Sequence, residues 1–310
     1  MDGILVIRKE KGYTSHDVVA KLRGILHMKK IGHTGTLDPA AEGVLPVALG
    51  RGTRLVELLT EKEKTYEAVL RLGVSTDTQD MTGTILSEKP VTVTEEEVRE
   101  TVASFVGEQM QVPPMYSALK VNGKKLCDLA RAGVTVERQA RPVQLYSIEI
   151  IKMELPRVCM RVRCSKGTYI RTLCQDIGEK LSCGACMESL LRTKVSEFCV
   201  QDALRLSEIE ERVQKAAGQT PSEQWNAEMF DFIYAVDSVF LQYKKAVICK
   251  EWNKLLYNGN RMKKDMFVSY QKDWEQQKVR IYDEEGRFIG IYEYSEIHGD
   301  YKPVKLFMEA

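Results

Sequence analysis

Short apolar segments alternate with turn-rich segments along the first 200 residues. Strands are predicted where apolar positions recur every second residue or form short buried runs, at 3–7, 44–49, 66–72, 143–152 and 158–164. Thr14-x-x-Asp17 and Thr94-x-x-Glu97 match the capping-box pattern, which predicts a helix after each threonine. Further helices are predicted at 53–59 and 168–181. Hairpins combined with segregated helices predict an α+β domain with a mixed, mostly antiparallel sheet.

The pattern changes after about residue 239. Short β runs follow there, at 246–249, 267–270, 279–282 and 289–294. Glu284-Glu285-Gly286 predicts a tight hairpin turn between the last two runs. We therefore predict a large domain at 1–238 and a small β-barrel domain at 239–310. The alternative is that the last segment extends the main sheet.

Composition narrows the class of protein. The chain has 310 residues, 44% of them hydrophobic, and no run of 18 apolar residues that could span a membrane. No signal peptide is predicted at the N-terminus, so the expected location is the cytoplasm. Eight cysteines without an export signal fit a reducing compartment. Cys183 and Cys186 form a C-x-x-C pair, but no second pair accompanies them, so buried thiols are expected rather than a metal site.

The net charge of +1 argues against a purely non-specific nucleic-acid binder, because such proteins are usually far more basic. Basic residues nevertheless cluster in three segments, at 8–30, 120–141 and 244–264. Each cluster alone is consistent with an ordinary solvated face. Their position next to the motifs described below is what suggests contacts with phosphate.

The most distinctive segment runs from Gly32 to Pro46 and reads GHTGTLDPAAEGVLP. Its glycines and prolines predict a tightly specified loop, on which Asp38 is the candidate reactive group. The alternative is an Asx turn, in which this carboxylate only caps backbone N–H groups. A metal site is disfavoured because the loop offers one carboxylate in reach. A nucleophilic or proton-transferring aspartate in a closed pocket needs a cationic partner to stay ionised.

Arg171 is the candidate partner, in the sequence KGTYIRTL that starts at Lys166. Gly167 predicts a turn and Thr168 a helix N-cap, which places the arginine in the first helical turn. The alternative for Arg171 is a surface contact within the helix, with Gln175 or Glu179.

These two sequences resemble signature motifs of the TruB family of tRNA pseudouridine synthases. The resemblance implies that Asp38 is the catalytic residue and that Arg171 pairs with it. It further implies that Tyr66, in a Lys-Thr-Tyr sequence, stacks on the target uracil and takes a proton late in the reaction. His33 is expected to enter the RNA, with a general base or an ordinary loop histidine as alternatives, and Leu190 to pack against the uracil.

Other matches to the family predict substrate contacts. Asp80 lies in a turn at 73–83 that resembles the family's turn for displaced nucleotides, and Tyr169 flanks the start of the Arg171 helix. Lys9, Lys120 and Arg131 belong to the basic segments expected to follow phosphates. The chain departs from the family in two places. Arg8 and Glu10 replace the usual Asp and Pro around Lys9, and Cys127 replaces a tyrosine, which puts local loop geometry in doubt.

The resemblance implies a pseudouridine synthase fold followed by a PUA-like RNA-binding domain. It implies an isomerase that flips uridine 55 out of the T loop of tRNA and converts it to pseudouridine without cofactor, metal or obligate protein partner. The sequence leaves open whether Asp38 attacks the ribose or the base. Two alternatives remain: a guide-RNA-dependent subunit of a ribonucleoprotein, and a tRNA-folding module without catalysis.

Overall fold

The computed structural model describes residues 1–121 and 123–308. Residue 122, inside the basic segment at 120–141, and residues 309–310, at the end of the predicted C-terminal domain, lie outside the described residues. The helices are α1 (Ser15–Ile25), α2 (Val56–Thr60), α3 (Glu95–Ala103), α4 (Leu126–Arg131), α5 (Ile170–Lys180), α6 (Leu206–Ala217) and α7 (Asn253–Tyr257). In the described part of the chain, none of these helices has the length and apolar character needed to cross a membrane.

The strands of the first 200 residues include those predicted and several that were not. They are β1 (Gly3–Lys9), β2 (Ile31–His33), β3 (Glu42–Leu49), β4 (Lys64–Leu72), β5 (Val74–Thr76), β6 (Ile85–Glu88), β7 (Gly107–Gln111), β8 (Lys120–Val121), β9 (Lys124–Lys125), β10 (Arg141–Glu154), β11 (Arg157–Cys164), β12 (Ala185–Val195) and β13 (Phe198–Cys199). The remaining strands are β14 (Ile233–Tyr234), β15 (Lys244–Val247), β16 (Lys278–Tyr282), β17 (Phe288–Ser295) and β18 (Asp300–Leu306).

One large sheet organises the first part of the chain. Its strand order is β14-β1-β3-β12-β4-β11-β10-β7, with β13 paired to β12 and β2 paired to β3. Neighbouring strands are antiparallel except β12 and β3, which run parallel. The predicted α+β class with a mixed, mostly antiparallel sheet is therefore confirmed. β12, between β3 and β4, brings distant parts of the sequence side by side.

Both predicted capping boxes form. The Thr14 hydroxyl accepts from the Asp17 backbone N–H, and the Asp17 carboxylate accepts from the Thr14 N–H, at the start of α1. The same reciprocal pair forms between Thr94 and Glu97 at the start of α3. Such pairs satisfy N–H groups that have no partner inside the helix, which is why this local signal located both helix starts.

Helices cover the sheet over two apolar clusters. α1 and α6 pack on β1 and β3, where their leucine, isoleucine and valine side chains are buried. α3 and α5 pack beside β4, β10 and β12 over the second cluster. Asp38 and Arg171 approach each other where the second cluster borders the loop between β2 and β3.

The C-terminal part is a separate four-stranded sheet in the order β15-β16-β17-β18. The strand predicted at 267–270 is wrong: only Phe267 forms an isolated bridge, with Ile248, and short 3-10 turns flank it. β18 was not predicted. Met262 bridges to Tyr301 on β18, so the segment 262–267 connects both edge strands and gives the unit a barrel-like closure.

This sheet packs directly on the large one. Ile291 and Phe307 share an apolar cluster with Ile4 and Leu55, and Arg54 Nη1 donates to the Leu306 carbonyl oxygen at 2.9 Å. A short 3-10 helix, Val236–Phe240, runs across the predicted boundary at 238/239. That boundary stays a prediction.

Candidate active site

The loop that carries Asp38 is fixed by its neighbours at the start of α1. The Leu37 N–H donates to the Ser15 hydroxyl at 3.0 Å, and the Gly12 N–H donates to the Pro39 carbonyl at 2.9 Å. The side chain of Asp38 is 36% exposed. Its partner is a side chain from α5 and, among the described residues, no backbone N–H donates to its carboxylate, so the Asx-turn alternative does not hold. The carboxylate is anchored and still reachable from solvent.

Lys9 anchors the same loop from its buried side. Its side chain is fully buried, and its Nζ donates to the carbonyl oxygens of Ala41 at 2.7 Å, Glu10 at 3.0 Å and Pro39 at 3.3 Å. Burial lowers the pKa of this ammonium to about 8, while the nearby Asp38 carboxylate opposes the shift. The predicted substrate contact of Lys9 is untested, and its geometry in this structure is that of a loop anchor.

Arg171 lies in the first turn of α5 and is almost completely buried. Its Nε is 3.0 Å from Asp38 Oδ2, and its Nη1 is 3.6 Å from Asp80 Oδ2. The other N–H groups donate to the carbonyl oxygens of Thr78 at 3.0 Å and Tyr116 at 2.9 Å. The alternative of a contact within the helix is wrong. The guanidinium instead joins three loops that are far apart in sequence.

The charge of Asp38 depends on this guanidinium. Burial raises the pKa of Asp38, and Arg171 is the largest opposing influence. The Asp80 carboxylate raises the pKa further, whereas Lys9 lowers it. The two aspartates compete for one arginine, so a change at any of the three shifts the protonation of the candidate nucleophile.

Asp80 is held in its turn by threonines. Its Oδ1 accepts from the Thr78 hydroxyl at 2.8 Å, the Thr82 N–H at 2.9 Å and the Thr82 hydroxyl at 2.5 Å. Gln79 has a positive φ of 64°, and its side chain accepts from the Thr172 hydroxyl on α5 at 2.8 Å. The turn is thus fastened to the helix that carries Arg171.

Tyr66 and Leu190 belong to the apolar cluster that borders the Asp38 loop. They project from neighbouring strands β4 and β12, and both belong to the buried cluster that includes Leu37 and Ala41 of the loop. Burial raises the pKa of Tyr66, and the Arg192 guanidinium opposes that shift. The structure therefore brings Asp38, Arg171, Tyr66 and Asp80 into one site, and Leu190 lies in the apolar cluster next to it.

His33 ends β2 at the entrance to the loop. Its ring is 5.5 Å from the ring of His16, and its Nδ1 accepts from the Gly35 N–H at 3.4 Å. Burial lowers the pKa of His33 to about 4, so the ring is neutral at physiological pH. A neutral ring suits stacking on a base; its predicted entry into RNA is untested.

Tyr169 is the residue before α5, and the predicted N-cap at Thr168 is wrong. The Thr168 hydroxyl donates to the Ser165 carbonyl, and Tyr169 occupies the cap position without a side-chain cap. The Gln111 amide supports this position: it donates to the Tyr169 carbonyl at 3.0 Å and accepts from the Tyr169 N–H at 2.8 Å. Sequence reasoning missed Gln111, since its position at the end of β7 carries no local signal.

Lys120 and Arg131 lie on a separate exposed segment. Lys120 lines a cavity of about 510 Å³ together with Lys124, Lys125 and Asp128. Arg131 is the last residue of α4, and its Nη1 lies 3.7 Å from Asp128 Oδ1. The segment is joined to the site through Tyr116, whose carbonyl accepts from Arg171. Neither Lys120 nor Arg131 contacts the side chains of Asp38 and Arg171.

Comparison with known proteins places this geometry in context. The chain matches the sequence model described as the TruB family pseudouridylate synthase N-terminal domain over residues 23–170, and the tRNA pseudouridylate synthase B C-terminal domain over residues 171–241. It is 51% identical to the tRNA pseudouridine synthase B of Lachnoclostridium phytofermentans, over 99% of this chain and 100% of that protein. It is 41% identical to the protein of that name from Clostridium kluyveri, with the same coverage.

Solved structures agree on the fold. A chain from a Cbf5-Nop10-Gar1 complex is similar with a TM-score of 0.71 and 26% identity, over 99% of this chain and 85% of that one. A chain from an H/ACA RNP bound to a substrate RNA containing 2'-deoxyuridine is similar with a TM-score of 0.70 and 23% identity, with the same coverage.

Proposed function

Because the chain belongs to the TruB family of pseudouridylate synthases, we propose that it isomerises uridine 55 in the T loop of tRNA to pseudouridine, acting as a single protein without a cofactor. Relatives named tRNA pseudouridine synthase B align with the whole chain, which supports tRNA as the substrate. The enzyme works in the cytoplasm, where its substrate is found.

The observation that carries the proposal is the contact between Asp38 and Arg171. A carboxylate on a rigid loop is paired at 3.0 Å with a buried guanidinium from a distant helix, and it retains an exposed side. A surface ion pair would not need four anchoring contacts on the arginine. The arrangement supports a reactive carboxylate whose ionised form is favoured by the guanidinium beside it.

The reaction rearranges one nucleoside without net oxidation or hydrolysis. The bond between ribose C1′ and uracil N1 breaks, a bond between C1′ and C5 forms, and one proton moves from C5 to N1. Asp38 is the nucleophile, at C1′ or at the base, and leaves again at the end. Tyr66 stacks on the detached uracil, and its hydroxyl oxygen accepts the C5 proton as the hydroxyl releases its own proton, while Leu190 keeps the pocket apolar.

The target base must first leave its stack, at a cost of a few kcal/mol. His33 stands at the entrance with a neutral aromatic ring, suited to fill the vacated position. Asp80 and Tyr169 line the same approach beside Arg171. The basic segment of Lys120 and Arg131 supplies contacts to phosphate, which position the RNA without reading its sequence.

The C-terminal sheet provides a second RNA-binding surface, similar to a PUA domain. Lys244 and Lys245 lie exposed on β15, and Lys250 and Lys254 follow it. Ion pairs already hold two other basic residues of this segment: Arg261 pairs with Asp300, and Lys264 pairs with Glu275. These four lysines and the exposed Lys263 are therefore the candidates for contacts with the acceptor-stem side of the tRNA.

The test is release of tritium from a tRNA transcript labelled at C5 of its uridines, followed by mapping of pseudouridine. The wild-type protein alone is expected to modify uridine 55. Asp38→Asn keeps the size of the side chain and removes its charge, so turnover should be abolished while tRNA affinity stays within a few-fold. Asp231→Asn, on a side chain that is 86% exposed, is the matched control and should retain full activity.

Three outcomes decide between the candidate functions. Full activity of Asp38→Asn would refute the catalytic assignment. Activity that appears only after a guide RNA or partner proteins are added would favour the ribonucleoprotein alternative, in keeping with the Cbf5-type neighbours. Tight tRNA binding by a wild-type protein that forms no pseudouridine would favour the tRNA-folding module.

A further inference from the structure

Arg192 lies at the centre of the site although sequence reasoning gave it no role. It is on β12, directly opposite Tyr66 on β4 and Gly43 on β3, so these three residues form a row across the sheet. Its side chain is 1% exposed. Opposite residues on paired strands project to the same face, so Arg192 and Tyr66 share the face that borders the Asp38 loop.

The guanidinium of Arg192 binds both ends of that loop. Its Nε donates to the Val44 carbonyl at 2.8 Å, its Nη2 to the Gly35 carbonyl at 3.1 Å, and its Nη1 approaches the Thr36 carbonyl at 3.4 Å. Gly35 and Thr36 precede Asp38, whereas Val44 follows it. One side chain therefore closes the loop around the candidate nucleophile.

Arg192 has no counter-ion among the described residues. Arg171 pairs with two carboxylates. Arg192, in contrast, is next to backbone carbonyl oxygens and the Tyr66 hydroxyl. A buried cation without an opposite charge is costly, because the lost hydration is not replaced by a strong ionic contact. An apolar side chain at this position would avoid that cost but would leave the loop carbonyls without donors.

No other residue at the opposite position of β3 would preserve this packing. Gly43 has a positive φ of 129°, and a Cβ atom there would overlap the backbone carbonyl oxygen of Arg192. The close approach brings the loop end to the guanidinium. Arg192 is therefore flanked by a glycine on β3, which allows the close approach, and by a tyrosine on β4.

We propose that Arg192 is a positioning residue that fixes the Asp38 loop relative to Tyr66. The inference rests on the proposed isomerisation and adds a residue to its machinery. Nucleophile and proton acceptor sit on different parts of the chain, Asp38 on the loop and Tyr66 on β4. The Arg192 side chain binds the loop through its backbone carbonyls and adjoins the Tyr66 hydroxyl, so it fixes the loop relative to the tyrosine.

The first test measures loop order without RNA. Hydrogen exchange is followed in peptides that cover Thr34, Leu37 and Ala41, whose N–H groups are hydrogen-bonded in this loop. Arg192→Lys keeps the charge but loses the forked geometry, and exchange there should rise about tenfold, as expected for loss of about one hydrogen bond. Peptides from α6 and β17 should not change.

The matched control is Arg161→Lys. Arg161 lies on β11 and forms exposed ion pairs with Glu67 and Glu149, so the same chemical change is made outside the site. It should leave exchange in the loop unchanged. Equal exchange in wild type and Arg192→Lys would overturn the proposal, as would an increase spread over the whole chain.

The second test separates catalysis from binding. Under single-turnover conditions Arg192→Lys should lower the rate of tritium release about 100-fold, the scale of a misplacement of about 1 Å, while tRNA affinity stays within threefold. Because Arg192 acts by holding the loop in place relative to Tyr66, Arg192→Lys should lower the single-turnover rate by a smaller factor in a Tyr66→Phe background. A parallel loss of affinity, or equal losses in both backgrounds, would overturn the proposal.

Arg192→Gln serves as a second variant of similar length. Failure of both variants to fold would overturn the proposal, because the residue would then support the fold as a whole. Failure of the proposed function looks different: the wild-type protein would form no pseudouridine, while the exchange experiment would still report on loop anchoring.

Discussion

Replacement of Lys9 by methionine tests how the Asp38 loop is anchored. The ammonium is fully buried and donates to three backbone carbonyls, two of them, Pro39 and Ala41, within the loop. Methionine is similar in length and has no donor. The substitution therefore removes the ammonium donor from three carbonyls, of which Pro39 keeps the Gly12 N–H, and it removes a buried charge at the same time.

The two effects have opposite signs, and pH separates them. Burial lowers the pKa of Lys9 from 10.5 to about 8 in the folded protein. Between pH 8 and pH 10.5 the unfolded chain still holds the proton that the folded protein has lost, so the free energy of unfolding rises with pH in that window. One pKa unit is worth about 1.4 kcal/mol, and the whole shift corresponds to about 3 kcal/mol.

Wild-type protein should therefore gain up to about 3 kcal/mol relative to Lys9→Met as the pH rises from 8 to 10.5. The measurement is urea unfolding of both proteins at pH 7, 8, 9 and 10, with the difference taken at each pH so that other titrating groups cancel. Lys21→Met, at an exposed position of α1, is the control and should show a constant difference. A constant or falling difference for Lys9→Met would refute the reasoning.

Two further predictions concern the same loop. Gly43→Ala should lower the free energy of unfolding by more than about 3 kcal/mol, because a Cβ at this positive φ would overlap the Arg192 carbonyl. Gly12→Ala, with a positive φ but open space, is the control and should lower it by only about 1 kcal/mol. Equal losses in urea unfolding would contradict the close contact at Gly43. In NMR spectra, the His33 ring should titrate near pH 4 and not near 6.5. Because the unfolded chain binds this proton at a higher pH than the folded protein, the free energy of unfolding should fall as the pH is lowered from 6.5 to 4.

Local signals in the sequence predicted local structure well. The helix starts at Thr14 and Thr94 were predicted because a capping box is formed by residues three positions apart. The alternation in β4 follows from one strand having a buried and a less buried face. The N-cap at Thr168 failed, because the Gln111 amide from β7 fixes Tyr169 instead, and no local pattern reports a partner that distant.

The strand β12 shows what a pattern of alternation cannot find. Its residues at 185–195 are buried or half-buried on both faces for most of their length, and bulges interrupt the register with β4 after Met187 and Arg192. A strand covered on both sides loses the period of two that identifies a strand at the surface. Leu190, which is expected to pack against the uracil, and Arg192 both lie on this strand.

The pairing of Asp38 with Arg171 could be anticipated because a buried carboxylate requires a cation and the resemblance to the TruB family implied which arginine supplies it. The anchoring of the loop could not. Lys9 and Arg192 bind backbone carbonyl oxygens, which every residue possesses, so no residue type in the sequence marks the acceptor. Cations that organise a backbone are therefore found only once the chain is folded.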